Sequence, residues 1–255
     1  MTEPKATPLD DVDAVIFDLD GVVTDTAAVH AAAWSRVFDR YLSESAPAGA
    51  DRRPFDADVD YKRYVDGRGR YDGVDGFLRS RGIELAWGEP ADPPGDETVC
   101  ALGNRKNEEF TAELADRGVN AFPSSVALVR ELQRRGIPTA VISASRNCVP
   151  VLRAAGIEDA FDVKVDGVDM SRRGLPGKPD PAIFAEAAKE LGVEPSRAAV
   201  VEDALAGVEA GRRGGFGLVV GVARDDRAAE LLREHSDVVV DDLAALAWVE
   251  DGNCL

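Results

Sequence analysis

Two kinds of hydrophobic pattern alternate along the chain. Residues 12–17, VDAVIF, are a short apolar run with β-branched side chains that ends in the acidic, glycine-containing turn DLDG. Such a run reads as a strand buried on both faces. Beyond residue 26 the apolar positions recur at helical spacing through about Tyr41. From Ser124 a regular series sets in. A helix over 124–135 leads to a strand at 138–142 (PTAVI), a helix at 147–155 and a strand at 161–165 (FDVKV). A helix at 181–191 precedes the strand 198–202 (AAVVE). Helix 204–213, strand 217–222 (GLVVGV), helix 227–234 and strand 237–240 (DVVV) complete the series. Short strands separated by helices of this length predict crossover units, and therefore a parallel sheet with both faces covered.

The stretch from 43 to 100 has a different character. It is rich in Gly, Pro, Asp and Arg (SESAPAGADRRPFD, YVDGRGRYDGVDG, WGEPADPPGD), with helices expected at 73–81 and from about 102 to 117. The expected fold class is α/β, a three-layer Rossmann-like parallel sheet core with an inserted mainly α-helical cap domain. The core is expected over 1–27 plus 119–255 and the cap over 28–118. An insertion after the first strand would be expected to hang over the carboxyl ends of the strands, where open α/β sheets bind ligands.

Composition narrows the function classes. A chain of 255 residues, 45% of them apolar, can bury a core and carry a smaller module. It holds 47 acidic against 30 basic residues, a formal charge of −17. That balance argues against a nucleic-acid partner and against binding to an anionic membrane surface. An anionic substrate would have to be met by cations placed locally. Cys100, Cys148 and Cys254 are scattered and show no CxxC spacing, so neither a disulfide framework nor a zinc site is expected. The polar amino end and the lack of a long apolar stretch lead to an expected cytoplasmic protein. Its expected partner is a small molecule, and a monomer or weak homodimer is expected.

Four expected strand ends carry chemistry. FDLDGVVTDT places Asp18 and Asp20 beyond the first strand, and VISASRN places Ser143 after the second. GLPGKPDP carries Lys178 in a Gly/Pro loop that opens a helix, and VVEDALAG carries Glu202 and Asp203. Taken singly, an Asp after a strand is often a helix cap, a serine a loop hydroxyl and a lysine a solvated cation. Taken together, loops converging on one sheet edge gather four carboxylates, a lysine and a serine. Close carboxylates raise one another's pKa, and a divalent cation removes that cost. An all-oxygen set suits Mg²⁺.

In order along the chain, DLDGVVTDT, the Ser143 and Lys178 loops and the Glu202–Asp203 pair resemble the four signature motifs of the haloacid dehalogenase superfamily, over about residues 12–242. The resemblance implies phosphoryl transfer, with Asp18 as the nucleophile that becomes phosphorylated and Asp20 as the general acid/base. It further implies Mg²⁺ held by Asp18, the Asp20 carbonyl and Asp203 with Glu202 in support, while Ser143 and Lys178 hold the phosphoryl oxygens.

Within the superfamily the chain resembles the β-phosphoglucomutase family. Thr26 and His30 follow the first motif at that family's spacing. VDGRGRYDGV looks like its cap loop with a phosphate-gripping arginine, here Arg70. GNRKNEEF resembles its cap helix with Lys106 and Asn107, and SASRN keeps Ser145 and Asn147 with Arg146 in place of the usual lysine. The implied substrate-binding set is therefore Thr26, His30, Arg70, Lys106, Asn107, Ser145, Arg146 and Asn147. His235 reads as a surface residue. The expected reaction interconverts β-glucose 1-phosphate and glucose 6-phosphate through glucose 1,6-bisphosphate. The segments 43–60 and 84–100 are longer than such a cap needs, which keeps open a sugar-phosphate phosphatase that releases the phosphoryl group to water. A catalytically silent binding protein on the same fold is a further alternative, which would be expected to have lost Asp18 or Asp20, and both are present.

Overall fold

A computed structural model describes residues 8–224 and 226–246; Cys254 lies outside the described residues. The chain divides into two compact units, one formed by the chain up to Thr24 and from Ala121 onward, the other by Asp25–Asn120.

The larger unit is built on six parallel strands: β1 (Ala14–Asp18), β2 (Thr139–Ile142), β3 (Val163–Val165), β4 (Ala198–Glu202), β5 (Leu218–Val222) and β6 (Val238–Val240). Their order across the sheet is β3-β2-β1-β4-β5-β6. All five residues of β1 are buried, so helices must cover both faces. Ala14 and Ile16 point to one face and pack with Ile183, Phe184 and Ala187 of a helix at Ala182–Leu191. Val15 and Phe17 point to the other by the two-residue alternation of a strand. The chain leaves β1 in one direction toward β2 and β3, then crosses back to start β4 on β1's other side. The carboxyl ends of β1 and β4 therefore flank the point where the strand order reverses, which is where an open sheet leaves a crevice.

The helices, numbered in chain order through both units, are α1 (Ala27–Glu44), α2 (Arg70–Ser80), α3 (Val99–Arg117), α4 (Pro123–Arg134), α5 (Cys148–Ala154), α6 (Gly167–Arg173), α7 (Ala182–Leu191), α8 (Leu205–Arg213) and α9 (Asp226–Arg233). Helix α6 has no counterpart among the sequence expectations. It is two turns long, too short to display a helical period, and is fixed by a capping box between Asp166 and Asp169. The expected helix at 73–81 starts earlier, at Arg70, and the one expected from 102 starts at Val99, where the Thr98 hydroxyl accepts the Ala101 N–H at 3.0 Å.

The smaller unit is helical. Along α1 the residues Ala33, Trp34, Val37, Phe38, Tyr41 and Leu42 form one apolar stripe at three- and four-residue spacing. That stripe closes on an aromatic cluster in which Phe38 lies 4.1 Å from Phe77 and 5.2 Å from Phe55, ring centre to ring centre. The segment 45–60 is irregular yet pinned. Buried Arg81 pairs with Asp60 at 2.6 Å, and its guanidinium lies 4.8 Å from the centre of the Phe77 ring. No helix among the described residues is long and apolar enough to cross a membrane.

Candidate active site

The crevice beside β1 gathers the charged strand ends. Lys178 is buried, and its Nζ donates to Asp18 Oδ1 at 2.5 Å and to Glu202 Oε1. The second oxygen of Glu202 accepts the Ala204 N–H at 2.7 Å. Asp18 Oδ2 accepts the Asp20 N–H at 2.9 Å, so the turn after β1 folds back on the carboxylate it follows. The Asp20 side chain in turn is held by Ser143, whose hydroxyl donates to Oδ2 at 3.0 Å while accepting the Ser145 N–H at 3.1 Å. Asp203 is packed against the same turn, since a methyl group on Gly21 would lie 1.9 Å from Asp203 Oδ2. Gly21 is also in the left-handed region, with φ +85°, which disfavours any side chain there.

Two carboxylates, of Asp18 and Glu202, thus hold one ammonium, with Asp20 on the turn beside Asp18. Burial works against the charge on Lys178, but Asp18 and Glu202 outweigh it and hold the lysine protonated well above its usual range. Burial also pushes Asp18 up; Lys178 pulls it back, and the neighbouring Glu202 and Asp20 add to the rise. The cluster carries surplus negative charge at neutral pH. The sequence placed Lys178 among these carboxylates beside a divalent ion, and the fold seats its ammonium directly between Asp18 and Glu202. Glu202 has one oxygen on Lys178 and the other on a backbone amide, so it acts first as the seat of the lysine.

Cys148 is buried nearby. Burial, then the Asp20, Asp166 and Asp18 carboxylates, raise its thiol far above the ordinary range, which leaves no thiolate for chemistry. Ser145 Oγ accepts the Asn147 N–H at 3.1 Å, and the Arg146 guanidinium reaches Ser171 Oγ at 3.2 Å.

In the smaller unit, Lys106 Nζ lies 2.6 Å from His30 Nδ1. It also sits 4.7 Å from the Trp34 ring centre and 4.9 Å from that of Phe110, on which His30 stacks at 4.2 Å. An ammonium donating to Nδ1 makes that nitrogen an acceptor and leaves the imidazole proton on Nε2. Arg70, expected in a loop, is the first residue of α2. Its guanidinium donates to Asn107 Oδ1 at 2.7 Å and reaches Asn104 Oδ1 at 3.5 Å. Thr26 is buried at the start of α1, where its carbonyl accepts the His30 N–H at 2.9 Å. His235 is partly exposed, with Nε2 3.9 Å from Glu209 Oε1.

A family model described as haloacid dehalogenase-like hydrolase matches residues 12–215. The chain belongs to that family. A β-phosphoglucomutase of Mycobacterium bovis is 48% identical over 239 residues, covering 92% of this chain and 91% of its own. The β-phosphoglucomutase of Bacillus subtilis is 32% identical over 231 residues, covering 89% and 92%. Among solved structures, the β-phosphoglucomutase of Clostridium difficile superposes with a TM-score of 0.73 at 26% identity, over 92% of this chain and 93% of that one.

The donor chemistry of this family member suits a hard cation. Asp18 and Asp203 carboxylate oxygens and the Asp20 carbonyl belong to loops in contact at Gly21, and all of them are oxygens. No three Asp, Glu, His or Cys side chains form a closed metal cage among the described residues. The oxygen donors themselves are of the kind Mg²⁺ takes, one or two protein carboxylates beside waters and a substrate phosphate.

Two functional contacts escaped the sequence reading. Gly207 makes room for Glu202, and Arg224, at the end of β5, donates to the Gly21 carbonyl at 2.9 Å. The second had a signal: GLVVGV is an apolar strand with a cation two residues beyond its end, a fifth charged strand end.

Proposed function

We propose that the protein transfers a phosphoryl group through an aspartyl phosphate on Asp18, and that its reaction is the interconversion of β-glucose 1-phosphate and glucose 6-phosphate by way of glucose 1,6-bisphosphate. The observation that carries this reading is the pairing of two differently held carboxylates on one turn. Asp18 is buried against Lys178, while Asp20 is partly exposed and oriented by Ser143. A buried, lysine-paired carboxylate suits attack on phosphorus, and a partly exposed one suits proton exchange with solvent-side oxygens.

An Asp18 oxygen forms the new P–O bond as the bond to the sugar oxygen breaks, and Asp20 gives its proton to that departing oxygen. In the second half, Asp20 takes the proton of the accepting hydroxyl as its oxygen attacks phosphorus and releases Asp18. Lys178 offsets the charge between nucleophile and phosphate. Mg²⁺, held by Asp18, Asp203 and the Asp20 carbonyl, would supply further stabilisation of charge on the transferred group. In the smaller unit, Arg70 with Asn107 is a bidentate donor suited to the second phosphate, and Lys106 with His30 to the sugar side. The similarity to β-phosphoglucomutases over nearly the whole chain supports the mutase outcome. A cytoplasmic monomer or weak dimer fits such a reaction.

A coupled assay with β-glucose 1-phosphate, Mg²⁺ and a trace of glucose 1,6-bisphosphate tests the reading. Glucose 6-phosphate should form without matching free phosphate. Stoichiometric phosphate release would replace the mutase by a hydrolase of the same chemistry.

A further inference from the structure

The turn after β1 is a closed piece of hydrogen bonding. The amides of Val23 and Thr24 donate to the Leu19 carbonyl at 3.0 and 2.9 Å, and the Gly21 amide donates to the Thr24 carbonyl at 2.9 Å. From outside, the Ser125 hydroxyl holds the Val22 carbonyl at 2.6 Å and the Phe122 amide holds the Val23 carbonyl at 2.9 Å. The Gly21 carbonyl is held differently. Its donor is Arg224 Nη2 at 2.9 Å, a side chain from beyond β5, two strands away from β1. In the sheet β4 lies between β5 and β1, and Asp203, just after β4, is packed against the same glycine.

The guanidinium does not reach out unsupported. Its carbon lies 3.6 Å from the centre of the Phe122 ring. Phe122 is itself bonded to the turn through Val23. Arg224, Gly21, Val23 and Phe122 therefore form a ring in which the arginine is steadied by the segment it steadies. A planar cation stacked on an aromatic face is preorganised, and its donor direction is set before any substrate arrives.

We infer that Arg224 is a positioning residue for phosphoryl transfer: by holding the Gly21 carbonyl it fixes the turn that carries Asp20 relative to Asp18. The inference rests on the reading of Asp18 and Asp20 given above. Asp20 must meet an oxygen that is only briefly in line, and its backbone continues into the one glycine of the turn, with φ +85°. Without Arg224, the Gly21 carbonyl loses this hydrogen bond at a glycine whose positive φ leaves its backbone free to turn. Arg224 is exposed, so its loss opens no cavity and leaves the sheet intact.

The test compares wild type with Arg224→Ala, Arg224→Lys and, as a charge control, Arg130→Ala on the exposed side of α4. Each is assayed well below its melting temperature, in the coupled β-glucose 1-phosphate assay. Arg224→Ala should melt near wild type and lose about ten- to a hundred-fold in kcat, the cost of misplacing a catalytic group by a fraction of an ångström to an ångström. KM should stay within about two-fold, because the Arg224 hydrogen bond joins the enzyme to itself and not to the substrate. Arg224→Lys can reach the carbonyl but cannot stack flat, and should fall between. Hydrogen exchange at the Gly21, Val23 and Thr24 amides should quicken in Arg224→Ala, a readout that is independent of turnover. Unchanged kcat, a rise in KM alone, or the same loss in Arg130→Ala would overturn the inference, the last two by showing plain attraction of an anion. A wild type inert toward the sugar phosphate would remove the phosphoryl-transfer reading, and the inference with it. An active wild type matched by Arg224→Ala removes the inference only.

Discussion

A methyl group on Gly207 would lie 1.9 Å from Glu202 Oε1 and 2.0 Å from its carboxyl carbon. The third residue of α8 is therefore glycine because the carboxylate that seats Lys178 occupies the place of a side chain. Helix propensity alone favours Ala over Gly by about 1 kcal/mol inside a helix. The contact reverses that sign. Gly207→Ala should displace Glu202, strand the Lys178 charge and cost about 2 kcal/mol or more in denaturant unfolding, with most activity lost. A more stable, active variant would show that Glu202 has somewhere else to go.

The reversal explains which parts of this site were legible in the sequence. Asp18, Asp20, Ser143, Glu202 and Asp203 could be found because each ends or follows an apolar strand, and a sheet edge collects whatever follows its strands. Lys178 instead lies between α6 and α7, and its signal was the Gly/Pro loop that opens α7. Gly207 could not, since its clash is with a residue brought near by the fold. The alternating elements from Ser124 onward were readable from their period. Helix α6 was not, because seven residues cannot display one, and its Asp166–Asp169 box uses Asp where Glu or Gln is the usual signature. Arg70 was misplaced in a loop because the flanking glycines of DGRGR read as a breaker. The order of 45–60 comes from buried Arg81 with Asp60, a tertiary pairing without a local pattern.

Asp18→Asn separates stability from turnover. The native carboxyl is raised above its unfolded value by burial and by Glu202 and Asp20, against the opposing pull of Lys178. The folded protein therefore keeps a proton that the unfolded chain has released. Stability from this group is present at low pH and is lost as pH rises from the unfolded value through the native one. An amide has no such proton to lose. In chelator at neutral pH, Asp18→Asn should melt above wild type, the gap narrowing as pH falls toward the unfolded carboxylate range. Turnover should drop by at least about 10³-fold, as for other deleted nucleophiles. Equal melting curves across pH would contradict the surplus charge assigned to this cluster.

Ser143→Ala removes the donor to Asp20 while leaving Lys178, Asp18 and Glu202 in place. The site also loses the acceptor for the Ser145 N–H, so the loop after β2 is affected too. A buried polar contact of this kind contributes about 1–3 kcal/mol. Thermal unfolding should show a modest loss, and kcat should fall about ten-fold or more as Asp20 samples other rotamers. Ser143→Thr keeps the hydroxyl and should recover part of kcat where it fits. If Ser143→Ala left kcat unchanged, the hydrogen bond would be orienting nothing that the reaction uses.

Arg70 tests the smaller unit. Its two donor arms lie toward Asn107 and Asn104, so the guanidinium plane is set by neutral amides on α3. A lysine cannot span both, which makes Arg70→Lys as informative as Arg70→Ala. If Arg70 grips the phosphate that is not being transferred, either change should raise KM for β-glucose 1-phosphate by about ten- to a hundred-fold, the range of a charge-assisted bidentate contact. Phosphorylation of Asp18 by a small donor such as acetyl phosphate has no second anchor to lose and should proceed at the wild-type rate. Loss of both reactions would place Arg70 in the structure of the unit, and loss of neither would remove it from substrate binding.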